Sequence, residues 1–140
     1  MATVSLLQAQ FSWPIRVYYE DTDSGGVVYH SNYLNFMERA RTEWLRSLGY
    51  EQTLLKDQLG VLFVVHDLSI TYQRPAKFND ELNVECRLNK IGRSSLQFEQ
   101  VIKRGTETLS KALVGVVCID AEQFKPVSIP AQMKAKMEKL

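Results

Sequence analysis

Residues 18–49 read YYEDTDSGGVVYHSNYLNFMERARTEWLRSLG, and this stretch decides the fold. Its first part, up to His30, concentrates acids, glycines and small polar residues, which is typical of a loop. From Ser31 onward apolar side chains recur every three to four residues, which predicts one long amphipathic helix. Ser31 or Asn32 is placed to cap its start, and Gly49 to end it in a left-handed conformation. The predicted buried face comprises Tyr33, Phe36, Met37, Ala40, Trp44 and Leu48.

The rest of the chain mostly follows the two-residue period of β-strands. A first strand is predicted over 12–19, and later strands over 64–73, 82–89, 96–102 and 107–119. A short helix is predicted over 51–59, ending near Gly60, and a short basic helix or a frayed tail over 131–140. In the last strand both faces are apolar between 113 and 119, which indicates a central position or burial against a second subunit. This order predicts an α+β fold, in which an antiparallel sheet of about five strands carries one long helix.

Composition and charge exclude several classes of protein. A chain of 140 residues is expected to form a single domain over 1–140, and its net charge of +1 gives no electrostatic case for binding nucleic acid. No stretch approaches the ~20 apolar residues that span a bilayer. Residues 1–11 are expected to be a loose lead-in rather than a signal peptide. Cys86 and Cys118 lie in apolar strands and read as packed thiols, which fits a cytoplasmic protein.

Asp21, Asp23 and His30 all precede the predicted helix. A carboxylate beside a helix N-terminus can attack a carbonyl or activate water, and the unpaired N–H groups of the helix would stabilise the resulting oxyanion. Alternatively, an aspartate caps a turn and His30 is a loop side chain. The D-x-D…H pattern also suggests a metal site, but no second histidine is near, because His66 is predicted to pack within a strand.

A second candidate site lies at the predicted turn after Gly92. Arg93, with Ser94 and Ser95 beside it, could hold a phosphate, although a solvated turn arginine is the simpler interpretation. The glycine-rich nucleotide-binding signatures and the G-x-S-x-G elbow are absent from the sequence.

The run from Arg16 to Tyr33, R-V-x-x-x-x-T-D-x-x-G-V-V-x-H-x-x-Y, resembles the signature of the 4-hydroxybenzoyl-CoA thioesterase-like family. The later YQRPAKFNDEL and GRSS segments match the same layout, so the resemblance covers nearly the whole chain. It is greatest to the branch of acyl-CoA thioesterases associated with the Tol-Pal system. The resemblance implies a hotdog fold, in which a sheet wraps around one helix and subunits form dimers and often homotetramers.

The resemblance also implies the activity and the residues that carry it. The activity is hydrolysis of an acyl-CoA thioester to a free acid and CoA, without a metal or a bound cofactor. Asp23 would be the nucleophile or general base, and His30 would offer its backbone N–H to the thioester carbonyl. Tyr19 would position the site, and Arg93, Ser94 and Ser95 would contact the CoA phosphates.

Two other functions remain open from the residues. A hotdog hydratase or dehydratase could use Asp23 and His30 to abstract a proton. A non-catalytic module could bind acyl-CoA or an acyl carrier protein, and an acyl carrier protein would require a basic patch such as Lys90 with Arg93.

Overall fold

The computed structural model describes residues 10–140, in which five strands form one antiparallel sheet. The strands are β1 (Gln10–Arg16), β2 (Val61–Tyr72), β3 (Glu81–Ile91), β4 (Ser95–Arg104) and β5 (Glu107–Asp120), in the spatial order β1-β3-β4-β5-β2. The helices are α1 (His30–Ser47), α2 (Gln52–Leu54, continued by a wider turn at Leu55–Leu59) and α3 (Ala131–Glu138). The predicted α+β class and the five-stranded count are confirmed. The lead-in prediction for residues 1–9 lies outside the described residues, whereas Gln10 and Phe11 already belong to β1.

Helix α1 covers one face of the sheet, as its apolar stripe predicts. The side chains that it buries are Tyr33, Phe36, Met37, Ala40, Trp44 and Leu45. Leu48 is only partly buried, because the helix ends at Ser47 and Gly49 turns the chain with φ = +95°. Burying a stripe of this size supplies most of the free energy that holds a helix on a sheet.

The sheet alternates between a buried face and a charged one. In β3, Leu82, Val84, Cys86 and Leu88 are buried, as predicted. The opposite face carries cross-strand ion pairs, Lys103 with Glu85 at 3.3 Å and Arg87 with Glu99 at 3.8 Å. One helix covers only one face of the sheet, so the other face meets solvent and is polar. The alternation of apolar and polar residues along β3 follows from this arrangement.

Both cysteines are buried thiols, as predicted. Burial raises the pKa of Cys86 to about 12, although Gln100, whose Nε2 donates to its Sγ at 3.0 Å, opposes the shift. Burial raises the pKa of Cys118 to about 11. These thiols therefore stay protonated at neutral pH and act as small core side chains.

Strand β2 lies at an edge of the sheet and contains a β-bulge between Val65 and Asp67. The bulge shifts the alternation by one residue, so Val65 lies opposite Val116 and Leu68 opposite Val114. The sequence predicted one uninterrupted alternation from Val64 to Tyr72. This prediction is wrong for Val64, which precedes the bulge and does not share a face with Leu68. The prediction that His66 packs within the sheet is also wrong, because His66 is exposed at the bulge.

Strand β5 is interior to the sheet but not at its centre, since it lies between β4 and the edge strand β2. Its glycine makes room for the bulge, because a Cβ on Gly115 would collide with Oδ1 of Asp67. Leu113 remains exposed. The run 113–119 is therefore apolar on both faces for two reasons. The strand lies inside the sheet, and part of its apolar surface, including Leu113, is exposed near the open edge of β2.

Candidate active site

The loop between β1 and α1 folds back on itself as a short irregular hairpin. Thr22 and Val28 form an isolated bridge, and the Asp23 N–H donates to the carbonyl of Val27 at 2.9 Å. Gly26 makes the turn with φ = +79° and donates to the carbonyl of Asp23 at 3.0 Å. Glycine suits this position, because it adopts a positive φ without steric strain. The hairpin brings Asp23 alongside the residues that lead into α1.

The structure distinguishes the two aspartates that the sequence left equivalent. Asp21 is buried, and both of its carboxylate oxygens are bound: Oδ2 accepts from the Tyr18 N–H at 2.8 Å and Oδ1 from Asn32 Nδ2 at 2.7 Å. The first contact ends the strand at Arg16 and begins a 3₁₀ turn over Tyr19–Asp21, so the strand predicted over 12–19 ends three residues too late. Asp21 is therefore a structural cap.

Asp23 is held by only one of its oxygens. Its Oδ1 accepts the Gly25 N–H at 2.8 Å, and a Cβ on Gly25 would lie 3.2 Å from that oxygen. Among residues 10–140, Oδ2 of Asp23 has no hydrogen-bond partner, and the side chain is half-buried. A carboxylate fixed through one oxygen keeps the other for a substrate or a water molecule.

Helix α1 begins at His30, with Tyr29 in the N-cap position and no side-chain cap. The predicted capping by Ser31 or Asn32 is wrong, because the Asn32 amide donates to Asp21 instead. The N–H groups of His30 and Ser31 have no intrahelical acceptor, as at every helix start, and find no other acceptor in the described chain. Two backbone donors and the positive end of the helix dipole are therefore free beside the loop.

His30 is exposed, and its surroundings include a residue that the sequence did not indicate. The Tyr72 hydroxyl at the end of β2 donates to the His30 carbonyl at 3.0 Å. The two rings meet edge to face with centroids 4.8 Å apart, and Tyr72 also meets Tyr33 at 5.3 Å. Burial, with a smaller contribution from Tyr33, raises the pKa of Tyr72. Because the two residues are 42 positions apart, no spacing rule could have paired Tyr72 with His30.

The segment 74–80, after β2, fixes the loop from the other side. Val28 donates to the Ala76 carbonyl at 2.9 Å, and Val17 to the Asp80 carbonyl at 2.9 Å. The Ala76 N–H donates to the Tyr33 hydroxyl at 2.9 Å, which ties the segment to the first turn of α1. Arg104 holds the segment in turn through the Asp80 carboxylate at 2.6 Å. The loop is therefore positioned by β4 as well as by its own hydrogen bonds.

Tyr19 lies in the same loop as Asp23, where its carbonyl accepts from the Thr22 hydroxyl at 2.7 Å, whereas the Arg93 turn lies away from the loop within one chain. The Tyr19 ring is 79% exposed and packs edge-on against Phe78 at 5.8 Å. Arg93 is exposed in the turn between β3 and β4, where its carbonyl accepts from Ile129 at 2.8 Å. The site loop joins the opposite end of the sheet, where β4 finishes at Arg104. The ten residues of β4 separate the two ends by about 30 Å, so one chain does not bring Arg93, Ser94 and Ser95 to Asp23.

A groove of about 670 Å³ opens between the C-terminal half of α1 and the edge of the sheet. Apolar side chains such as Trp44, Phe63 and Phe98 form part of its lining, and Arg41 lies in its wall. Arg41 is held there by Gln100, to whose Oε1 it donates at 2.8 Å, and burial lowers the pKa of Arg41. The size is that of a small-molecule site. However, Arg41 is eleven residues, or about 16 Å, along α1 from His30.

The D-x-D…H pattern does not assemble into a ligand set. Both oxygens of Asp21 are bound by protein donors, so the first carboxylate of the pattern is occupied. Within residues 10–140, no three His, Cys, Asp or Glu side chains are grouped so that they could hold a metal ion. Over the same residues, none of the helices combines the length and hydropathy needed to cross a bilayer.

The chain thus combines a half-bound carboxylate, free N–H groups at a helix start and a sheet wrapped on that helix. The model of the thioesterase superfamily matches residues 25–111, and the chain belongs to this family.

Individual relatives match nearly the whole chain. It is 47% identical over 135 residues to the acyl-CoA thioesterase YbgC of Haemophilus influenzae, covering 96% of this chain and 99% of the relative. It is 43% identical over 129 residues to the acyl-CoA thioester hydrolase YbgC of Escherichia coli, with 91% and 96% covered. Among solved structures, a probable thioesterase from Bartonella henselae superposes with a TM-score of 0.84 at 37% identity, covering 87% of this chain and all of that one. These matches confirm the predicted family and hotdog fold.

Proposed function

We propose that this protein is an acyl-CoA thioesterase, which hydrolyses the thioester to a carboxylic acid and CoA. The observation that carries the proposal is the arrangement of Asp23, with one oxygen unbound, in a hairpin that leads into the uncapped start of α1. Relatives with 43–47% identity that bear this activity in their names support it.

In the proposed reaction the thioester carbonyl is bound at the start of α1. The Asp23 carboxylate either attacks the carbonyl carbon, giving a mixed anhydride that water then hydrolyses, or takes a proton from the attacking water. In both routes, negative charge develops on the carbonyl oxygen, and the free backbone N–H groups of His30 and Ser31 stabilise it. CoA leaves as the thiolate and is protonated. The reaction uses neither a metal nor a bound cofactor, since CoA enters and leaves as part of the substrate.

The site is proposed to be completed by a second copy of the chain. The open edge of β2 is apolar, with Val65 49% and Leu68 41% exposed, and such an edge is a template for pairing with another strand. Antiparallel pairing of two β2 strands places Tyr72 of each chain beside the Val61 end of the other. The His30 end of one chain then meets the groove of its partner, at the end of the sheet that carries Arg93.

The proposed dimer would bring together the predicted site residues that a single chain keeps apart. Arg93, Ser94 and Ser95, which lie about 30 Å from the site loop in one chain, approach the loop of the partner in the dimer. They are proposed to contact the CoA phosphates there, whereas Tyr19 is proposed to position the substrate at the rim of its own loop. The groove at Phe63 would receive the acyl group. Further pairing of dimers into a homotetramer, association with the Tol-Pal system and a cytoplasmic location stay predictions from the sequence.

The rival functions differ in their products. A hydratase or dehydratase at Asp23 would change the acyl chain without releasing thiol, and a binding module for acyl-CoA or acyl carrier protein would release neither. A carboxylate with one oxygen bound suits hydrolysis, because the other oxygen can reach water or the carbonyl.

The test is thiol release from short, long and aromatic acyl-CoAs by wild type, Asp23→Asn and Asp21→Asn. Asp23→Asn should lower turnover by on the order of 10²-fold or more, because it removes the reacting carboxylate. It should leave the melting temperature near that of wild type. Asp21→Asn, the matched control, should lower the melting temperature, because the buried cap loses a charged acceptor. Full activity of Asp23→Asn, or an enoyl product in place of free thiol, would overturn the proposal.

A further inference from the structure

We propose that Tyr72 is a positioning residue of the site, which orients the peptide between His30 and Ser31 and holds the His30 ring. This inference rests on the proposed function and adds a residue to it. Tyr72 belongs to β2, 42 residues away from His30, and reaches the start of α1 from the side. It is the one contact of the His30 carbonyl that comes from another element within the described chain.

The chemistry of the contact follows from the peptide to which it is made. The His30 carbonyl and the Ser31 N–H belong to the same planar peptide unit. A hydrogen bond accepted by the carbonyl polarises that unit and strengthens its N–H as a donor. The Ser31 N–H is one of the two free donors at the helix start, so the Tyr72 hydroxyl strengthens a donor that would face a developing oxyanion.

The rings add a second restraint. Tyr72 meets His30 and Tyr33 edge to face, at 4.8 and 5.3 Å. Tyr33 is itself fixed, because its hydroxyl accepts from Ala76. Tyr72 therefore bridges the exposed imidazole and a buried, anchored ring. An exposed histidine next to a site would otherwise sample several rotamers.

The test is Tyr72→Phe, which keeps the ring and removes only the hydroxyl. It should lower kcat by about 10-fold, with KM, melting temperature and oligomeric state near those of wild type, since part of one donor's effect is lost. Tyr72→Leu should lower kcat further, because it also frees the His30 ring. Tyr50→Phe, which removes a hydroxyl at the far end of α1, should leave kcat unchanged.

A second measurement is independent of turnover. In labelled protein, Tyr72→Phe should shift the Ser31 amide proton resonance upfield, and Tyr50→Phe should not. An unchanged Ser31 resonance, or a kcat equal to that of wild type, would overturn the role of Tyr72. Activity that survives in Asp23→Asn but falls in Tyr72→Phe would instead overturn the role given to Asp23.

Discussion

At the residue scale, the same side-chain type serves different purposes two positions apart. Both carboxylate oxygens of Asp21 accept hydrogen bonds from the protein, whereas only one oxygen of Asp23 does. The sequence predicted Asp23 only through the family motif, because spacing alone leaves the two acids equivalent. The two aspartates differ because of the hydrogen bonds that Tyr18, Asn32 and Gly25 donate to them. The periodicity of the sequence does not indicate where these donors point.

Cys86 supplies a prediction at the same scale. Its folded-state pKa of about 12 lies above the value of about 8.5 expected of an unfolded thiol, so the folded state keeps a proton that the unfolded state loses. This contribution to stability is fully present below pH 8.5 and is lost as the pH rises from there towards 12. Urea unfolding of reduced protein at pH 7, 9 and 10.5 should show this fall.

Cys86→Ser is the control, because its hydroxyl can still accept from Gln100 but does not titrate. The decline between pH 9 and 10.5 should be shallower in Cys86→Ser, by at most about 1.4 kcal/mol per pH unit. Equal slopes for the two proteins would show that the thiol ionises as readily in the folded state as in the unfolded one.

At the element scale, the sequence predicted what depends on local periodicity. The apolar stripe of α1 and the alternation of β3 were sufficient to predict these two elements, because each pattern results from burial of one side of the element. The bulge at Val65 and Asp67 was missed, because it is fixed by contact with Gly115 on another strand. For the run 113–119 the sequence predicted a central position or burial against a second subunit. The strand is interior but second from the edge, and composition alone does not distinguish these positions, because a central strand and an apolar surface beside an open edge have the same composition.

The open edge of β2 supplies the prediction for this scale. Leu68→Lys should convert the proposed dimer to monomer in analytical ultracentrifugation, because it places a charge on the exposed apolar edge. Thiol release should fall with the dimer fraction. Leu140→Lys is the matched control, since Leu140 is 39% exposed against 41% for Leu68 but follows α3 and does not belong to β2. A dimer that persists in Leu68→Lys would place the interface elsewhere.

At the scale of the whole molecule, the site residues that the family resemblance implies lie at two ends of one sheet. The loop with Asp23 adjoins the end at Arg104, and Arg93 lies in the turn before β4 at the other. The sequence contains both parts of the proposed site, but the chain separates them. In the proposed dimer, the symmetry between two chains, which a single sequence does not display, would bring them together.

Mixing two variants, each impaired in a different part of the proposed site, tests this account most directly. Asp23→Asn and Arg93→Ala subunits are unfolded together, refolded at equal concentration and assayed for thiol release. If each site takes its loop from one chain and its Arg93 turn from the other, every mixed dimer contains one intact site. The mixture should then recover about a quarter of wild-type activity. Activity no greater than the average of the two separate variants would contradict it, because each site would then lie within a single chain.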